Sequence, residues 1–155
     1  MEVYSVQTIA DWLINKSHDE GNPVTQLRLQ KILYFIQGHY LSFKDGLPLF
    51  RRDFEAWRYG PVLRPLYDRF KMHGNDEIPK QETADIACPE TEEFLNGMYA
   101  IYGVMGSTYL IGLSHDPNGP WAKHYNKNLH FNDEIIPKSE MKVYFDQFLK
   151  AEAVV

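Results

Sequence analysis

Apolar residues recur at helical spacing along most of the chain. Val6, Ile9, Ala10 and Leu13 fall at i, i+3, i+4 and i+7 behind Ser5, a good N-cap residue, and predict a first amphipathic helix that ends before Gly21-Asn22-Pro23. Thr25 predicts the next N-cap, with Val24 and Leu29 placed to form a hydrophobic staple. The apolar stripe Leu29, Ile32, Leu33, Ile36 and Tyr40 then carries a second helix to about Phe43, where Asp45-Gly46-Leu47-Pro48 turns the chain. From Phe50 to Tyr59 the pattern becomes alternating, with Phe54 and Ala56 on one face and Glu55, Trp57 and Tyr59 on the other, the only strand-like stretch. Gly60-Pro61 reads as the turn after it. Pro65 suits the first turn of a third helix with Leu66, Tyr67 and Phe70, stopping near Gly74.

Residues 75–90 read as a loop. Pro89 and Thr91 open a fourth helix with Phe94, Leu95, Met98, Ile101 and Tyr102, and Ser107 opens a fifth with Leu110 and Leu113. A loop from Asp116 to Pro120 leads into a short turn at Trp121, and Pro137 to Leu149 makes a terminal helix with Met141, Tyr144, Phe145 and Phe148. The expected fold is mainly α, a compact bundle of six or seven helices with at most a short β element near residues 50–59, forming one domain over residues 1–155.

Composition narrows the function classes. With 44% hydrophobic residues, 3 Trp, 10 Tyr and 9 Phe in 155 residues, the chain is globular and has aromatic side chains beyond the needs of a core. A net charge of −5 argues against a generally basic nucleic-acid binder, though not against a local basic patch. The one cysteine, Cys88, allows no internal disulfide and suits a reducing cytoplasm. The N-terminus lacks a basic region followed by an apolar run and is not a secretory signal. Residues 94–115 contain no Asp, Glu, Lys or Arg, the length of a membrane span. Four glycines and three tyrosines lower the apolarity of this stretch, and Gly103 and Gly106-Ser107 divide it, so two short buried helices are expected instead.

Candidate chemistry is sparse. His18, His39, His73, His115, His124 and His130 never occur at the spacing of a zinc-binding helix, and dinucleotide and P-loop fingerprints are missing, so no metal or cofactor is expected. Cys88 has no lysine or arginine within seven residues to depress its thiol pKa. His115-Asp116 is the most suggestive polar pair, a histidine beside a carboxylate; a histidine ending a helix is the simpler reading.

Charge is distributed unevenly. Residues 51–71 hold Arg51, Arg52, Arg58, Arg64, Arg69 and Lys71 against three acids, whereas residues 76–93 hold seven acids, Glu90, Glu92 and Glu93 among them, against Lys80 alone. Arg58 between Trp57 and Tyr59 has the composition of an interface hot spot, and equally that of internal stacking. The candidate partner-binding residues are therefore Arg51, Arg52, Glu55, Trp57, Arg58, Tyr59, Arg64, Glu90, Glu92 and Glu93, with Arg51, Arg52, Arg58 and Arg64 suited to an acidic partner and Glu90, Glu92 and Glu93 to a basic one.

Five segments taken together resemble a known family. LRLQKILYFIQGHYL (27–41), PLF (48–50), FEAWRYGPVLRPLYDRFK (54–71), YG (102–103) with Ser107, and LSH (113–115) ahead of GPW (119–121) look like the Panacea domain, the antitoxin domain of SocA-like and GepA-like, phage-associated proteins. The resemblance spans about residues 5–148; the elements LSH and GPW carry here an Asp-Pro-Asn-Gly loop whose glycine is the first residue of GPW. It implies a mainly helical cytoplasmic domain that neutralises a bacterial toxin encoded beside it by direct protein contact, without a cofactor or a membrane. The family's shared residues map onto Gln30, Lys31, Tyr34, Gln37, Gly38, Glu55, Trp57, Tyr59, Gly60, Pro61, His115 and Trp121. No catalytic residue is implied. Two other classes stay open: an enzyme using a His115, Glu55 and Trp57 pocket, and a nucleic-acid or regulatory protein acting through residues 51–71.

Overall fold

The computed structural model describes residues 3–82, 85–127 and 134–154. His130 lies outside them. Ser5 and Thr25 cap the first two helices as the sequence predicts. Ser5 Oγ accepts from Gln7 N at 3.2 Å ahead of α1 (Val6–Asp19), and Thr25 Oγ1 accepts from Arg28 N at 3.3 Å ahead of α2 (Gln26–Phe43). Helix α3 (Arg64–Phe70) continues into a single 3₁₀ turn, Lys71–His73, which Gly74 ends at φ 55°. Prolines occupy the first turns of α3, α4 (Pro89–Tyr102) and α6 (Pro120–His124), where no backbone N–H is needed. Between the last two lies α5 (Ser107–Ser114), and α7 (Lys138–Val154) closes the described chain.

The β element extends beyond residues 50–59. Strand β1 (Phe54–Trp57) pairs antiparallel with β2 (Gly60–Val62) on one side and with β3 (Ile135–Ile136) on the other. Gly60-Pro61 is not the turn. Trp57 is opposite Gly60, so Arg58 and Tyr59 make the two-residue connection and Gly60-Pro61 begins the second strand. Gly60 has φ +111°, and a Cβ there would lie 2.8 Å from both Lys31 Cε and Ser114 Oγ, so both conformation and space select glycine.

Helix α2 is the axis of the molecule. Its apolar stripe is wider than the sequence spacing predicts: Leu29, Ile32, Leu33, Ile36 and Tyr40 are buried, and so are Tyr34, Phe35 and Leu41 on other faces. A helix buried on nearly all sides is an internal helix. It packs against α7, α5, α4, α1, α3 and β2. The α2–α7 crossing is closest at Gly38, where a Cβ would meet the Phe145 ring at 2.1 Å.

Polar side chains of α2 satisfy the irregular chain around it. Gln37 donates to Phe50 O at 2.7 Å and accepts from Leu49 N at 2.9 Å; two turns earlier Gln30 donates to Leu63 O at 3.1 Å and accepts from Leu63 N at 2.8 Å. Both glutamines are buried and replace strand partners for backbone groups that would otherwise be unpaired. Arg28, also buried, donates to Gly103 O at 2.6 Å and Met105 O at 3.4 Å, holding the break between α4 and α5.

That break divides the charge-free segment. Among the described residues, no helix is long and apolar enough to cross a membrane. The two helices bury only one side: Leu95, Tyr99 and Leu110 face inward, whereas Ile101 and Tyr109, and Val104 in the break between the helices, are exposed.

Candidate functional site

The β1–β2 hairpin presents the Trp57-Arg58-Tyr59 triplet at its tip. Pairing alternates the side chains, so Phe54 and Ala56 enter the core and Glu55 and Trp57 face outward in part. Glu55 is held by two hydrogen bonds from Arg64, at 2.9 and 3.0 Å, and one from Trp57 Nε1 at 3.3 Å. This bidentate clamp also seats the Arg64 guanidinium over the Trp57 ring at 5.2 Å, while the Tyr67 ring meets Trp57 edge-on at 4.8 Å. Trp57 is thereby fixed from two sides. Tyr59 is free on one face, 58% exposed, with the Arg58 guanidinium 5.5 Å from its ring centre.

Beside the triplet lies a pocket of about 560 Å³, bounded by the first turns of α2, the hairpin, Tyr67 and Ile111. Its walls are mostly apolar, from Leu27, Trp57, Val62 and Tyr67. Among the described residues, Lys31 and Arg58 are the charged ones that line it. Lys31 is fully buried and donates to Pro61 O at 2.9 Å, and burial brings its pKa down to about 7. Gln26 lines the same pocket, and its buried Oε1 has no hydrogen-bond donor among the described residues.

The His115 to Trp121 cluster is built differently. His115 stacks on Trp121 with ring centres 3.7 Å apart, Trp121 stacks on Tyr125, and Trp121 Nε1 donates to Trp57 O at 2.7 Å, which ties α6 to the hairpin. His115 Nε2 is buried without a partner among the described residues, and burial followed by the nearby Lys31 charge lowers the histidine pKa. The adjacent Asp116 carboxylate accepts from Tyr144 OH at 2.7 Å and from Asn118 N at 2.9 Å. Those bonds, led by the one from Tyr144, hold its pKa below the usual carboxylate range. Asp116 therefore serves the α5–α6 loop and α7 rather than His115, and Glu55 serves Arg64 and Trp57.

The charged runs are partly neutralised within the chain. Arg64 pairs with Glu55, Arg69 with Asp11 at 2.7 Å, and Glu90 with Lys44. Arg51 and Arg52 are exposed and, with Arg64 and Glu55, border a surface cavity of about 550 Å³. Glu92 and Glu93 are exposed on α4; Glu92 borders a polar cleft of about 690 Å³ shared with α1. Both cavities are mixed in charge: Asp53, Glu55 and Asp68 line the first beside the arginines, Lys16 and Lys80 line the second beside the acids, and the aromatic triplet borders a third.

The shared residues Gln30, Lys31, Gln37, Gly38, Gly60 and Pro61 all sit at joints between α2 and its neighbours, and Tyr34 is buried in the core. Gln26 and Ile111 lie outside the motif segments, and Leu27 and Tyr67 lie inside them without being singled out, so their place around one pocket is visible only in the fold. Lys31 did leave a signal: it is the one charged residue in the run LQKILYF.

Comparison with known proteins follows the same residues. Residues 29–122 match the family model "Antitoxin SocA-like, Panacea domain". The chain is 32% identical over 127 residues to "Antitoxin SocA" of Caulobacter vibrioides (strain NA1000 / CB15N), covering 74% of this chain and 67% of that protein. No solved structure matches.

Proposed function

This chain belongs to the SocA-like Panacea domain family, and on that premise we propose that it is an antitoxin that neutralises a toxin encoded beside it by binding the toxin protein directly. One observation carries the binding mode. The hairpin sets Trp57, Arg58 and Tyr59 around an apolar pocket, with Trp57 fixed by Glu55, Arg64 and Tyr67. A rigid aromatic anchor next to a concave apolar surface is what a protein interface needs at its centre, because little conformational entropy is lost when it docks. Arg51, Arg52 and Arg64 border this face through the neighbouring cavity and supply a polar rim, while Glu92 and Glu93 offer a separate acidic patch. Binding takes place in the cytoplasm, where the toxin is made, by the chain acting as one domain without a cofactor.

Co-expression with the product of the neighbouring gene tests the reading. Growth should be restored and the two proteins should purify together. Tyr59→Ala, at an exposed position that costs the fold little, should weaken the complex at least tenfold, the scale of a hot spot. Restored growth without a recoverable complex would overturn direct binding.

A further inference from the structure

The pocket beside the hairpin combines features that the proposed antitoxin role leaves unexplained. In a chain of net charge −5, its described lining holds two cations, Lys31 and Arg58, and no acid. Lys31 is buried with no carboxylate paired to it among the described residues: its hydrogen bond goes to Pro61 O, and burial alone accounts for its lowered pKa. An ammonium has three N–H groups, so at least one remains for an acceptor. A buried lysine without a counter-ion is costly, and that cost is relieved by an anion brought into the same space. Gln26 supplies the opposite requirement. Its Oε1 is buried at the pocket without a donor, and it calls for an N–H.

The rest of the lining is apolar and aromatic, and about 560 Å³ is within the roughly 300 to 1,000 Å³ of pockets that enclose a ligand group. We infer that this pocket receives an apolar segment of the toxin that carries a carboxylate, its aliphatic or aromatic side chain lying against Trp57 and Tyr67 and its carboxylate meeting Lys31 and Arg58. A polypeptide fits better than a simple acid, because its backbone N–H satisfies Gln26 Oε1 while its side chains fill the apolar space. This inference rests on the direct-binding reading above and adds the chemistry of the contact.

Leu27 provides a first test that leaves the buried residues untouched, and Lys31→Met provides a second at the buried cation itself. It lies in the first turn of α2, lines the pocket and is 37% exposed. Leu27→Glu places an anion at the mouth and suits the helix N-terminus, so the chain should stay folded. Leu27→Lys gives a side chain of similar reach and opposite charge. Affinity for the purified toxin is measured for both, with circular dichroism confirming the fold of each. Leu27→Glu should weaken binding at least tenfold more than Leu27→Lys does, and Lys31→Met should also lose at least tenfold. Equal losses for Glu and Lys would overturn the carboxylate. Wild-type affinity in all three variants, with the wild-type complex intact, would overturn the pocket while leaving direct binding standing; no wild-type complex at all is the failure of direct binding itself. Phenylacetate serves as the small-acid probe. If it quenches tryptophan fluorescence in the wild type but not in Leu27→Glu, while toxin affinity is unchanged, the pocket belongs to small acids and the inference is wrong.

Discussion

Gln37 shows how much of this fold rests on single buried polar residues. It joins α2 to the segment before β1 through one donated and one accepted bond, to Phe50 O and from Leu49 N. Gln37→Leu keeps the bulk but leaves both backbone groups buried and unpaired, so it should destabilise by about 2 to 4 kcal/mol. Lys80→Ala removes an exposed ion pair with Asp19 and should cost less than about 1 kcal/mol. Urea denaturation distinguishes the two, and equal effects would contradict the role given to Gln37. Lys31 makes a second prediction, through pH. Its pKa is about 7 in the folded chain and 10.5 for a lysine free in water, so between those values the unfolded chain binds more protons. Stability therefore rises with pH from about 7 to 10.5, and the destabilisation from Lys31 is fully present below about pH 7. Lys31→Met should flatten that slope and stabilise the protein most at the acid end of the window. A slope that is the same in both proteins would show that Lys31 is not the group responsible.

At the level of elements, the α2–α7 contact is the closest fit. Gly38→Ala drives a methyl into the Phe145 ring, which an overpacked core accommodates only by moving α7, at about 1 to 3 kcal/mol or more. Phe145→Leu should recover part of that loss in the double variant, and simple additivity of the two single losses would place the strain elsewhere. Local signals made the helices legible: Ser5 and Thr25 as caps, Pro65 and Pro89 in first turns, and Gly74 as a stop all have the predicted effect. Periodicity underestimated α2, because it treats polar positions as outward-facing. Arg28, Gln30, Lys31 and Gln37 face inward, since irregular segments packed on the helix present backbone groups to them. The strands β2 and β3, of three and two residues, are too short to show alternation. Gly60-Pro61 has the composition of a turn but is already paired with β1. The site was half legible for the same reason: Trp57, Arg58 and Tyr59 are consecutive, whereas the other pocket residues come from α2, β2, α3, α5 and the loop at Gly74.

For the whole molecule, unpaired surface charge bears on how a partner approaches more than on how tightly it is held. Arg51 and Arg52 are exposed and in no ion pair among the described residues, so the double reversal Arg51→Glu/Arg52→Glu should change stability by no more than about 0.5 kcal/mol per site. Toward a toxin docking on the hairpin face with an acidic rim, the reversal should slow association and invert its salt dependence, leaving dissociation nearly unchanged. Stopped-flow mixing reads both rates, and a loss confined to dissociation would move these arginines from the rim to the centre of the contact. Under the proposed function, one folded antitoxin occupies one toxin. The most direct test of this is a titration of purified toxin with this chain, following toxin activity and complex formation in the same samples. Inhibition should reach completion at a fixed molar ratio, with free toxin disappearing in step with the complex. Full inhibition at a strongly substoichiometric ratio, with the toxin uncomplexed, would contradict the account.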